Sequence, residues 1–209
     1  MRVLQRLAVV ATAGVLAVGI SVVPAQATSD STVPISGGVT SVTVNPAVTK
    51  ALLENRILPY ATDAKTSLVW TQQGPTVRYG FPITSDSFVT AAGNPLTLTG
   101  GEIAHTGGVR FVNLRNFKAL KVSDFDIRLG EGLLYATKVN NQPAEVPLFK
   151  VIPTTLQPTL TSDGFAVLTG VRLELTQVAA DALNASLGLS KPVFTGGLPF
   201  GTATVRADI

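Results

Sequence analysis

The sequence predicts a mainly β protein, an antiparallel β-sandwich or barrel-like sheet with two short helices. Three observations lead there. Short runs rich in Val, Ile, Leu, Thr and Phe recur between Gly, Pro, Asn and Asp residues, the pattern of strands joined by turns. Only two stretches carry both a helix start signal and helical apolar spacing. The 209 residues, less an N-terminal leader of 27, leave 182, enough for one domain with a core of its own.

The leader comes first. Residues 1–27, MRVLQRLAVVATAGVLAVGISVVPAQA, read as a signal peptide: Arg2 and Arg6 form a basic start, an apolar stretch follows, and Pro24 precedes the small-x-small triplet Ala25-Gln26-Ala27. The apolar run is short for a span of ~20 residues and is interrupted by Gly14 and Gly19, so cleavage near Ala27 is expected rather than anchoring. No cysteine is available for lipidation, and the end of the chain shows neither a hydrophobic tail nor a basic stop-transfer cluster. The mature product is thus expected outside the cytoplasm, secreted or at the cell envelope, without a transmembrane anchor.

Cleavage also changes the charge. The leader holds two of the sixteen basic residues and none of the thirteen acidic ones, so the net charge falls from +3 to 14 − 13 = +1. A nucleic-acid partner is therefore not indicated. The absence of cysteine means that an exported fold relies on apolar burial without disulfides.

Residues 28–37 are small and polar and read as a flexible N-terminal lead, with a single β-rich domain over 38–209. Strands are expected at 39–44, 67–71, 76–83, 96–104, 108–113, 119–129, 132–140, 146–152, 164–175 and 201–206. The first helix is expected over 47–57: Asn45 is a good N-cap, Pro46 stands at the first helical position, and Val48, Ala51 and Leu52, with Leu53 or Ile57, face inward. The second is expected over 177–187, capped by Thr176, with Ala179, Ala182, Leu183 and Leu187 on one face and Gly188 ending it.

These two strand-cap-helix units match when aligned, Ala51-Leu52 falling on Ala182-Leu183. Either a common supersecondary habit or an old duplication accounts for this; a duplication suggests one unit at each end of a β core. The centre of the chain reads as hairpins. Gly100-Gly101 and Gly107-Gly108 each suit a positive-φ turn, which places His105 on a loop between them. Phe125, Ile127 and Leu129 alternate with Asp124, Asp126 and Arg128, predicting one buried and one solvated face.

His105 is the only histidine, which excludes a two-histidine zinc site and an HExxH protease. No G-x-S-x-G elbow is present to supply a serine nucleophile. Two readings of His105 remain: a partly exposed hairpin residue without a role, or a titratable group held where a ligand approaches. Asp124 and Asp126 suit a glycosidase or calcium site in type, but Lys121 and Arg128 beside them favour a mixed-charge surface. Trp70, Tyr79 and Tyr135 read as packing aromatics, whereas Tyr60 follows Pro59 and is expected on a connection after the first helix. Arg110, Arg115, Lys118 and Lys121 form a basic run that reads as a solvated face or a contact for an anionic envelope polymer.

The segments Gly80-Phe81-Pro82-Ile83-Thr84, Gly101 through Phe111, Val122 through Ile127, and Leu133-Leu134-Tyr135-Ala136 resemble secreted and cell-surface proteins of actinobacteria. Among these the chain is similar to the HtaA domain, over residues 38–206. The resemblance implies a haem-binding, non-enzymatic domain in which a tyrosine ligates iron and a histidine supports it. Tyr60 and His105 are the positions that correspond. The family's Trp-Gly-x-Lys opening is absent, and its Gly-His pair is replaced by Ala104-His105-Thr106-Gly107-Gly108. The expected function is binding of a small ligand, haem being the one the resemblance implies, or of an envelope component. The alternatives are a structural or adhesive envelope protein and, further off, a wall-polysaccharide hydrolase using Asp124, Asp126 or Glu102.

Overall fold

A computed structural model describes residues 30–93 and 96–209; the expected leader lies outside them. In chain order the elements are β1 (Ser31–Pro34), β2 (Gly37–Val44), α1 (Pro46–Glu54), β3 (Ile57–Thr62), β4 (Lys65–Thr71), β5 (Gly74–Pro82), β6 (Phe88–Ala92) and β7 (Thr97–Asn113). There follow β8 (Ala119–Arg128), β9 (Leu133–Val139), β10 (Gln142–Ile152), β11 (Thr159–Leu160), β12 (Phe165–Leu175), α2 (Gln177–Ser186) and β13 (Pro199–Asp208).

The strands form one antiparallel sheet in the order β1-β6-β7-β8-β9-β10-β12-β13-β2-β5-β4, with β3 beside β7 and β11 beside β12. Period-two alternation explains its curl, because each strand offers one apolar face and the sheet wraps that face around a common core. In β2, Thr40, Val42 and Val44 are buried while Ser41 and Thr43 between them are less so. The wrapping brings the end of β5 back to the middle of β7, where Ile83 and His105 form an antiparallel bridge. The fold is thus mainly β, of the barrel-like kind, with two helices.

Both helices start as their caps dictate. Asn45 accepts the Ala47 N–H at 3.0 Å with Pro46 opening α1, and Thr176 accepts the Ala179 N–H at 3.1 Å. The units do not stand at opposite ends of the core. β2 and β12 flank β13, both antiparallel to it, so they run in the same direction and deliver α1 and α2 to one end of the sheet. There Thr49 of α1 bonds Thr76 of β5 at 2.9 Å, and Asn113 of β7 donates to the Leu187 carbonyl after α2 at 2.9 Å. Val48 and Leu52 of α1, and Ala179, Ala180 and Leu183 of α2, are buried. Leu53 is exposed.

Several expectations change. The first helix ends at Glu54 rather than at residue 57: Asn55 caps it, Arg56 takes φ 56°, and the chain turns so that Ile57 opens β3 as a fully buried strand residue. Tyr60 accordingly lies within a strand. Residues 31–34 of the expected flexible lead form β1 against β6, and Ile35 after them is buried. Strand β6 lies where none was expected, in the interval between 83 and 96.

The two expected central strands and their Gly-Gly turns are one continuous strand, β7, of 17 residues. The glycines serve close approach between strands instead of reversal. Gly101 has φ 124°, and a Cβ there would stand 2.5 Å from the Phe88 carbonyl oxygen of β6; at Gly108 it would stand 2.4 Å from the Val122 carbonyl oxygen of β8. Between them the register shifts from His105↔Phe125 to Gly108↔Ser123, a bulge with Asp124 opposite it at φ 54°. Replacing Gly101 or Gly108 with Ala is expected to destabilise the protein by about 2 kcal/mol or more, the cost of overpacking against backbone. Denaturant midpoints of the two variants measure this, and near-neutral values would restore the solvent-exposed turns.

Candidate functional site

The inward alternation of the strands leaves space inside the curled sheet. Val77, Tyr79 and Phe81 of β5 face His105, Val109 and Phe111 of β7 across a cavity of about 150 Å³, which Ala179, Ala182 and Leu183 of α2 close at the helical end. The lining is aliphatic and aromatic apart from Thr40, Tyr79, His105 and Ser186; no Lys, Arg, Asp or Glu contributes to it. Apolar cavities of about this size take up benzene-sized molecules.

His105 lies in the interior, 4% exposed, because the strand continues through the glycines instead of turning. Its Nδ1 is 3.2 Å from the Phe125 carbonyl oxygen and its Nε2 is 2.6 Å from the Thr40 hydroxyl. A carbonyl only accepts, so Nδ1 carries the proton and donates; Nε2 then accepts from Thr40. Burial pushes the imidazole down to about 4, opposed by the Phe125 hydrogen bond and by the charge of Asp126. The ring is therefore neutral at physiological pH, with both nitrogens engaged.

Tyr79 is the residue that sequence reasoning passed over. It is 4% exposed, and its hydroxyl is buried without a hydrogen-bond partner. Burial raises its phenol to about 12, so it stays protonated and able to donate. The signal was the alternation itself: Val77, Tyr79 and Phe81 share one face, and a tyrosine in such a stripe brings its hydroxyl into an apolar interior.

Tyr60 stands elsewhere. In β3 it is Pro59 that lines the cavity, while Tyr60 is 40% exposed and sits opposite Arg110 in the β3–β7 register. Residues directly opposite one another share a face, and Arg110 is exposed, so Tyr60 is on the outer face of the sheet. His105 is on the inner one. The structure does not bring the two together, and the nitrogens of His105 are committed to Thr40 and Phe125. Tyr60 and His105 thus do not fit an iron-bound phenolate supported by a histidine hydrogen bond.

The carboxylates of β8 are paired with cations. Asp124 meets Lys138 at 2.7 Å, and Asp126 meets Arg128 at 2.9 Å. A groove-facing acid/base pair of the glycosidase type is not formed from them. Asp126 departs from the expected solvated face: it is 4% exposed, points away from the inward Phe125 and Ile127, and leaves its Oδ1 without a partner. The bulge at Asp124 explains part of this, since Val122 is also inward and the alternation changes phase between it and Phe125. Glu102, opposite Arg128 in the register, has its carboxyl raised by partial burial and by Asp126, with Arg128 acting against the rise. Tyr135 lies under Arg128, ring centre to guanidinium 4.3 Å, and bonds Glu131. Trp70 is exposed on the edge strand β4, and Lys121 bonds Asn141 at 3.0 Å. Among the described residues no group of three His, Cys, Asp or Glu is arranged to hold a metal ion.

Two titration predictions follow from these placements. The folded state resists protonating His105, so between pH 6.5 and about 4 the unfolded chain binds more protons and stability falls as pH falls. The full effect is on the order of 3 kcal/mol. Unfolding midpoints of wild type and His105→Gln across this range measure it, and parallel curves would contradict the neutral buried ring. Glu102 has the opposite sign: its raised carboxyl binds protons more tightly when folded, so its contribution is lost as pH rises above the ordinary glutamate range. Glu102→Gln is expected to stabilise the protein at pH 7 by less than about 1 kcal/mol, the range of an exposed pair, and to remove that pH dependence.

No family model and no curated protein matches the chain. Among solved structures it is similar to the C-terminal domain of HtaA from Corynebacterium glutamicum, with a TM-score of 0.52 and 11% sequence identity, over 83% of this chain and 97% of that one. The two share a fold.

Proposed function

We propose that the protein is an exported, non-enzymatic binding domain that takes up a small apolar molecule in the cavity between the curled sheet and α2. The cavity carries this reading: about 150 Å³ of apolar space without a charged side chain, beside one buried hydroxyl that lacks a partner. The secretion-type leader and the HtaA-like fold support a role in binding outside the cytoplasm. Among the described residues no helix is long and apolar enough to cross a membrane. Haem held by Tyr60 and His105 together is not what we propose, because those side chains lie on opposite faces of one sheet.

Binding to the folded state alone raises stability by about 2.7 kcal/mol at a hundredfold excess over Kd. Cumene, an apolar molecule slightly larger than benzene, is accordingly expected to raise the unfolding midpoint in a saturable, concentration-dependent way, whereas hemin produces no Soret shift that depends on Tyr60. A midpoint indifferent to cumene overturns the proposal. So does a hemin Soret shift that Tyr60→Phe and His105→Gln each abolish.

A further inference from the structure

We infer that the ligand of this cavity is neutral and carries a hydrogen-bond acceptor, a carbonyl or ether oxygen, which meets the Tyr79 hydroxyl. This rests on the cavity being the binding site. Three side-chain atoms among the described residues are buried without a partner: Thr62 Oγ1, Tyr79 Oη and Asp126 Oδ1. Thr62 does not line the cavity, and Asp126 lies on the other face of the sheet. Tyr79 combines a buried unsatisfied donor with a place in the cavity wall, and a buried donor left unpaired is costly. Ser186, the other hydroxyl on the wall besides Thr40, is only half-buried, at the α2 end.

The other polar groups narrow the class further. His105 and Thr40 satisfy each other, and Nδ1 of His105 is held by Phe125, so this pair offers no strong donor to an incoming molecule. An anion here would meet no counter-charge, since the lining contains no Lys or Arg, and an unpaired charge in an apolar cavity is strongly disfavoured. A cation would equally find no carboxylate. What remains is an uncharged, mostly hydrocarbon molecule with one accepting oxygen. The phenol is suited to this, because burial keeps it protonated far above neutral pH.

Acetophenone, cumene and benzoate, equal in heavy-atom count, separate the possibilities when titrated by calorimetry against the full mature protein and its Tyr79→Phe variant. Acetophenone and cumene are expected to bind wild type, and benzoate not. Tyr79→Phe should weaken acetophenone about tenfold, the effect of one buried hydrogen bond, and leave cumene unchanged. The variant should not be less stable than wild type, since it removes an unsatisfied hydroxyl; a merely structural tyrosine would weaken both ligands alike. As a readout that needs no variant, the carbonyl stretch of bound acetophenone should lie below that of acetophenone in hydrocarbon solvent. If cumene and acetophenone bind but the variant preserves their affinity ratio, or the stretch is unshifted, the role of Tyr79 is overturned while the cavity reading stands. Benzoate binding as tightly as acetophenone overturns neutrality. Failure of all three to bind overturns the cavity reading itself.

Discussion

The architecture depends on how the sheet closes, and one uncharged histidine sits where it does. His105 of β7 bonds Thr40 of β2 through one nitrogen and the Phe125 carbonyl of β8 through the other, while its backbone bridges Ile83 just beyond β5. Four segments distant in sequence are tied at this point. A buried hydrogen-bonded imidazole adds direction to an interior that is otherwise non-directional hydrophobic contact. It does so as a neutral ring, because burial away from water disfavours the imidazolium form. Closure and charge state are therefore one constraint.

The uncharged interior extends from there. Strand alternation sends the carboxylates of β8 outward, where Lys138 and Arg128 neutralise them, and keeps the inner surface to Val, Leu, Ile, Phe and Ala. Because β2 and β12 run the same way on either side of β13, both helices reach the same end, and their small and branched side chains close that end without adding charge. The resulting chamber is apolar apart from a satisfied Thr40–His105 pair, an unsatisfied tyrosine and Ser186 at the α2 end.

Much of the fold was legible because it follows from local rules. The caps at Asn45 and Thr176 and the alternation in β2, β8 and β12 all act within a few residues of themselves. What misled was glycine. Gly-Gly is a turn signal when only the chain's own geometry is considered, yet Gly101 and Gly108 answer to carbonyl oxygens on neighbouring strands, a demand that no local window contains. From that one misreading came the loop placement of His105. Tyr60 was misplaced by a related route: a helix taken a few residues too far hid β3, and without β3 there was no way to tell which face the side chain would take. Tyr79 failed to stand out because a tyrosine among apolar residues looks like packing until its hydroxyl is seen to lack a partner.

The likeness to the HtaA C-terminal domain at 11% identity has the same explanation. A curled antiparallel sheet is specified by a pattern, apolar inward and polar outward with helices capped at two points, and a great many sequences satisfy a pattern. A binding site is specified by individual side chains at individual positions, and on this fold their placement depends on register: one residue of slip sends a side chain through the sheet to its other face. Tyr60 shows the consequence. It stands on β3 beside β7, as near in the topology to the strand of His105 as a neighbour can be, and is still on the opposite side of the sheet from the cavity. Shared topology therefore constrains where a site can be built far more than what it binds. For this chain the question of ligand passes from topology to the inward side chains of β2, β5 and β7.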